Sequence, residues 1–101
     1  MKVLFICNQN QNRSKTAEEL FKNKFNTKSA GLFNERPVSE KQIEWADVIC
    51  VMTDEQRSEI ANRFPKQYMK KRIVSLDIPD AYHYYDPELV EFLNRRVNEL
   101  I

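Results

Sequence analysis

The sequence predicts an α/β protein with helices on both faces of a four-stranded parallel sheet. Two observations lead there. Short strand-like runs alternate, four times along the chain, with segments of helical periodicity or helix-start signals. Strands separated in this way pair parallel through right-handed crossovers. The length, 101 residues, is that of one domain spanning 1–101, able to bury about 60–65% of its unfolded surface.

The elements follow in order. Val3–Ile6 reads as a strand buried on both faces, ended by the polar stretch Asn8–Asn12. From Ser14 onward, Ala17, Leu20, Phe21 and Phe25 fall at helical spacing. A short second strand, Lys28–Gly31, ends at the only glycine of the chain. Ser39 and Gln42 form a capping-box pattern before Ile43, Trp45 and Ala46. Asp47–Met52 is the most strand-like segment, and Thr53 with Gln56 opens a helix running to about Phe64, just before Pro65. Arg72–Leu76 is the fourth strand, and Asp86-Pro87-Glu88 starts a final helix whose apolar face is Leu89, Phe92, Leu93, Val97 and Leu100.

Composition narrows the function. With 42% hydrophobic and 31% charged residues and a net charge of +1, nothing global favours nucleic acid or an anionic membrane as partner. The N-terminal apolar run is too short for a signal core or a membrane span. Two cysteines without an export signal are expected to be free thiols in a cytoplasmic protein. No zinc, calcium or nucleotide motif is present, so no cofactor is expected.

Chemistry concentrates in the loop after the first strand: Cys7-Asn8-Gln9-Asn10-Gln11-Asn12-Arg13-Ser14. In a parallel sheet, ligands bind beyond the carboxyl ends of the strands. The five residues between Cys7 and Arg13 have room to curl their N–H groups inward as an anion nest. The following helix adds its N-terminal amides. Arg13 can bind phosphate oxygens in bidentate fashion, and such a field favours the thiolate, the nucleophilic form of Cys7. Ser14 is placed to hydrogen-bond that sulfur.

On these residues the chain resembles the low-molecular-weight protein tyrosine phosphatases, whose loop runs Cys-x-Gly-Asn-x-Cys-Arg-Ser-Pro. Cys7, Asn10, Arg13 and Ser14 match, and so does the stretch Thr16-Ala17-Glu18. Ser29-Ala30-Gly31 and Ala46–Met52 are similar to later family segments in the right order. Gln9 stands where the family has glycine, Asn12 where it has a second loop cysteine, and Lys15 where it has proline. The chain is also shorter than a typical member. The resemblance implies a flavodoxin-like, three-layer αβα sandwich of strand order 2-1-3-4. It further implies hydrolysis of phosphotyrosine or a similar aryl phosphate through a phosphocysteine on Cys7. Asn10 would hold the loop's shape.

The family's general acid is an aspartate on a late loop, and three candidates exist here: Asp77, Asp80 and Asp86. Ile78-Pro79-Asp80-Ala81-Tyr82 is similar to the family's Ile-Pro-Asp-Pro-Tyr, which favours Asp80. Asp86 comes second because helix capping alone accounts for it. Tyr82 and Phe33 are candidate walls of the substrate cleft. His83 has no metal-ligand partners, and Cys50 reads as inert core. Three other functions compete: a phosphate-binding module without turnover, a phosphocarrier, and an arsenate reductase. The carrier has little use for Arg13 or a late acid, and the reductase needs more cysteines than Cys50 supplies.

Overall fold

Residues Lys2–Cys7 form β1, whose burial pattern, one exposed residue and then five buried, reflects its place inside the sheet. The computed structural model describes Met1–Ile101, all of the chain. Helix α1 (Arg13–Phe21) follows, then β2 (Asn26–Gly31), α2 (Glu40–Trp45), β3 (Val48–Val51), α3 (Asp54–Arg63), α4 (Pro65–Lys70), β4 (Arg72–Ser75) and α5 (Pro87–Leu100). The strands form one parallel sheet in the order β2-β1-β3-β4. That is the order expected from the family resemblance.

Side-chain alternation in the strands divides the core in two. Val3, Phe5 and Cys7 face one way, with Val48 and Cys50, and meet Ala17 and Phe21 of α1 and Leu89, Leu93 and Val97 of α5. Leu4 and Ile6 face the other way, with Ile49 and Val51, and meet Ile43 of α2 and Ile60 of α3. Tyr68 of α4 packs at the margin of this second cluster. The Phe5 and Phe21 rings stack with centroids 5.9 Å apart, fixing α1 to the sheet.

Both capping boxes form. Ser39 Oγ accepts from Gln42 N and Thr53 Oγ1 from Gln56 N, while each glutamine side chain returns to the cap amide. The expected end of the third helix before Pro65 holds, but the chain does not become a loop there. Pro65 instead opens a new helix, α4, in its first turn, where a missing N–H costs nothing. The strand β2 begins at Asn26, two residues earlier than expected, because its polar residues pair in register with Lys2 to Cys7 at a sheet edge. Gly31 answers a need for space rather than a special backbone angle. A Cβ there would lie 2.7 Å from Asn34 Cγ.

Candidate active site

The chain leaves the sheet at Cys7, passes through Asn8–Asn12 and enters α1 at Arg13. Neighbouring elements pin this loop. The Asn8 carbonyl accepts from the amides of Leu32, at 3.0 Å, and Phe33, at 2.9 Å. The Asn8 side-chain oxygen accepts from Gln56 Nε2 at 3.1 Å. Asn10 adopts φ 53, the left-handed region that asparagine tolerates better than most residues. Gln9 does not lie in that region, so replacing the family's glycine there creates no conflict of backbone angle.

Inside the loop, Cys7 Sγ lies 2.9 Å from Ser14 Oγ, with both residues buried. Ser14 Oγ donates to Asn10 Oδ1 at 2.7 Å. A hydroxyl has one proton to give, so in this arrangement the thiol donates to Ser14. Arg13 is 3% exposed, and its Nη1 donates to the carbonyl of Ile78 at 2.9 Å. That bond orients the guanidinium. Arg13 Nε lies 3.8 Å from Asp80 Oδ1.

Cys7, Gln9, Gln11, Asn12, Arg13 and Asp80 together line a hollow of about 80 Å³. Helices α2, α3 and α5 start with side-chain caps from Ser39, Thr53 and Asp86, whereas α1 starts at Asn12 with none. Its first amides are therefore left to an outside acceptor, the arrangement that binds phosphate at helix N-termini.

A larger cleft of about 440 Å³ shares Arg13 and Asp80 with the hollow. Its single apolar wall is Phe33, which is 55% exposed. The Arg63 guanidinium covers that ring, 4.9 Å from its centroid. Arg63 also donates to the Leu32 carbonyl at 2.6 Å and pairs with Glu59 at 2.6 Å. Thus α3 holds the aromatic wall in place. Glu55, Glu59 and Asp80 make the cleft acidic apart from Arg13.

Solved structures share this architecture. The low-molecular-weight protein tyrosine phosphatase of T. tengcongensis superposes with a TM-score of 0.79 at 20% identity, over 99% of this chain and 99% of that one. Its fold is that of the low-molecular-weight protein tyrosine phosphatases. The tyrosine phosphatase Wzb from Escherichia coli K30, solved with phosphate, gives 0.77 at 18% identity, over 97% of this chain and 94% of that one. The YwlE arginine phosphatase, as a cysteine-to-serine variant whose active-site serine is phosphorylated, gives 0.77 at 22%, over 98% and 94%. No protein-family model matches the chain, and a comparison with curated protein sequences finds no match.

Within this low-molecular-weight phosphatase fold, the structure brings Cys7, Arg13, Ser14 and Asp80 to one place and separates the other candidates. Asp86 caps α5, its Oδ1 accepting from Glu88 N at 2.9 Å. It lines neither the hollow nor the cleft, and nor does Asp77. Tyr82 differs from its sequence expectation: it packs half-buried against the β1–α1–α5 core rather than lining the cleft. Its ring finds more apolar surface there than the polar cleft offers. Phe33 does line the cleft. His83 is exposed, and Cys50 is fully buried, its thiol pushed up to about 12 by burial.

Two participants escaped the sequence reading. Gln56 was visible only as a capping-box partner, yet its amide reaches across 48 residues to Asn8. The Ile78 carbonyl that orients Arg13 carries no sequence signal, since every residue has a carbonyl. The side chains form no cluster of histidine, cysteine, aspartate or glutamate that could hold a metal, and no helix is long and apolar enough to cross a membrane.

Proposed function

We propose that the chain is a cysteine-dependent phosphomonoesterase, acting on phosphotyrosine or a similar aryl phosphate of a protein or small molecule. The observation that carries this reading is the convergence of Cys7, Arg13 and Asp80 on one hollow of about 80 Å³ at the uncapped start of α1.

The phosphate enters the hollow, where the loop amides and Arg13 meet its oxygens and stabilise the charge that spreads over them during transfer. Cys7, its thiol proton lost to solvent, attacks phosphorus as the thiolate. The S–P bond forms as the bond to the leaving oxygen breaks, and Asp80 supplies that oxygen with a proton. Once the sulfur is ionised, the Ser14 proton turns from Asn10 to the sulfur, 2.9 Å away. In the second step Asp80, now a carboxylate, takes a proton from water. The water oxygen bonds phosphorus, the S–P bond breaks, and inorganic phosphate leaves. Phe33 serves as the wall on which an aryl group stacks. The two free cysteines fit a reducing, cytoplasmic setting.

A second reading, hydrolysis of phosphoarginine, is favoured by the Glu55 carboxylate in the cleft that adjoins the hollow, since it has no ion-pair partner and suits a cationic carrier. Purified protein should hydrolyse para-nitrophenyl phosphate in the presence of a chelator, be inhibited by vanadate, and lose turnover in Cys7→Ser. Higher kcat/KM for phosphoarginine than for phosphotyrosine would select the second reading. Vanadate binding without hydrolysis of either, between about pH 5 and pH 7 where this acid–base chemistry should run, would make the chain a phosphate-binding module instead.

A further inference from the structure

We propose that Thr16 is a positioning residue for the loop that carries Asp80: its buried hydroxyl accepts the amide proton of Tyr85 and so sets where the Asp80 carboxyl stands over the phosphate hollow. The proposal rests on the phosphomonoesterase reading above.

Asp80 lies between β4 and α5 in a segment with neither strand nor helix, and its side chain is 69% exposed. Arg13 Nε, at 3.8 Å, is its one charged neighbour within ion-pair range, too long for a hydrogen bond. Local turns, Ala81 N to Pro79 O and Asp86 N to His83 O, shape the segment without fastening it to the sheet. Fastening occurs at the two ends. At the near end Ile78 is fully buried, its amide donates to Met52 O at 2.8 Å, and its carbonyl accepts from Arg13 Nη1. At the far end Tyr85 N donates to Thr16 Oγ1 at 2.9 Å.

Helix α1 contributes a contact at each end, Arg13 at the near one beside Met52 and Thr16 at the far one. Arg13 and Thr16 lie three residues apart, so they sit on adjacent turns of one helix face. One rigid element therefore carries the phosphate-binding arginine, the serine beside the thiol, and a contact to each end of the acid loop. Thr16 is 0% exposed, which suits a fixed acceptor. Tyr85 has φ 57, a conformation that a bulky residue adopts only when its surroundings impose it. The next residue, Asp86, caps α5, so the far clamp also sets where that helix begins.

A valine at position 16 keeps the shape of the side chain and removes the acceptor. The test compares kcat/KM for phenyl phosphate, whose leaving group needs a proton, with that for para-nitrophenyl phosphate, which needs one far less. Thr16→Val should lose roughly 10-fold to 100-fold on phenyl phosphate, with little loss on para-nitrophenyl phosphate and unchanged vanadate affinity. Thr16→Ser should restore the wild-type ratio. Equal losses on both substrates, or weakened vanadate binding, would overturn the proposal, because Thr16 would then support the phosphate loop or the core alone. A wild-type protein inactive on both substrates would instead sink the phosphatase reading. If Thr16→Val does not fold, amide exchange in the wild type decides. Slow exchange at Tyr85 beside fast exchange at Tyr84, whose amide has no backbone partner, supports the clamp. Equal rates refute it.

Discussion

Asp80 Oδ1 stands 3.8 Å from Arg13 Nε, an exposed carboxylate facing a guanidinium that is almost wholly enclosed. The pair brings together residues from opposite ends of the chain, one fixed by α1 and the other on the loop after β4. Neither side chain is locked to the other, because at that distance the contact is a loose ion pair. Under the proposed function, a phosphate entering the hollow would meet Arg13 and leave the exposed Asp80 beside its leaving group.

The two late aspartates should therefore separate cleanly on substitution. Asp80→Asn is expected to lower kcat/KM on phenyl phosphate by roughly 100-fold or more, leaving vanadate affinity and the unfolding midpoint near wild type. Asp86→Ala should keep turnover but destabilise the fold by about 1 kcal/mol through loss of the α5 cap. Denaturant unfolding and steady-state kinetics on the two variants make the comparison. Loss of turnover in Asp86→Ala with none in Asp80→Asn would reverse the assignment.

The two cysteines should differ in reactivity as sharply as in surroundings. Cys7 lines the hollow at the start of α1, whereas Cys50 is enclosed in β3 with its thiol pushed up to about 12 by desolvation. Iodoacetate at neutral pH is expected to label Cys7 alone, and phosphate or vanadate should protect it. Mass spectrometry of the labelled peptides reads this directly. Cys50 also makes an alkaline prediction. Its folded pKa lies above the 9.0 of a free thiol, so the unfolded chain gives up this proton first. The stabilisation is fully present below about pH 9 and is lost as pH rises towards 12. Cys50→Ala should accordingly lose less stability than wild type between pH 8 and pH 10, measured by urea unfolding.

Gln56 should matter to both stability and phosphate binding. Its Oε1 accepts from Met52 N at 2.7 Å and Thr53 N at 3.3 Å, while its Nε2 holds Asn8. Gln56→Leu strands the buried Met52 amide, at a cost of about 1–3 kcal/mol, and releases the Asn8 side chain while the Leu32 and Phe33 amides still hold its carbonyl. Weaker vanadate binding together with a lower unfolding midpoint is the expected result. A variant with lowered stability and wild-type vanadate affinity would show that the contact to Asn8 is incidental.

Local sequence was a good guide wherever a local force decides. The Ser39 and Thr53 capping boxes, the Asp86 cap and the apolar stripe of α5 all arise from residues within a few positions of each other. They could be read before any tertiary contact was known. The helix at Pro65 escaped because proline serves equally to end one helix and to begin another, and tertiary contacts such as the packing of Tyr68 lie outside the local sequence. Tyr82 escaped for a similar reason. An aromatic beside a candidate acid reads as a cleft wall until the neighbouring core is seen to take it.

By itself the sequence determined the alternation of strands and helices, and it placed a cysteine, an arginine and a serine at loop spacing between the first strand and the first helix. Periodicity, capping and turn chemistry act over a few residues, so they are written locally. Only the tertiary structure decided which aspartate faces that loop, what orients Arg13, and that α1 contacts the chain on both sides of Asp80. Those relations join Arg13 to Ile78, Asn8 to Gln56 and Thr16 to Tyr85 across 65, 48 and 69 residues. They exist because a parallel sheet gathers the carboxyl ends of its strands at one edge, which brings together loops that are remote in sequence.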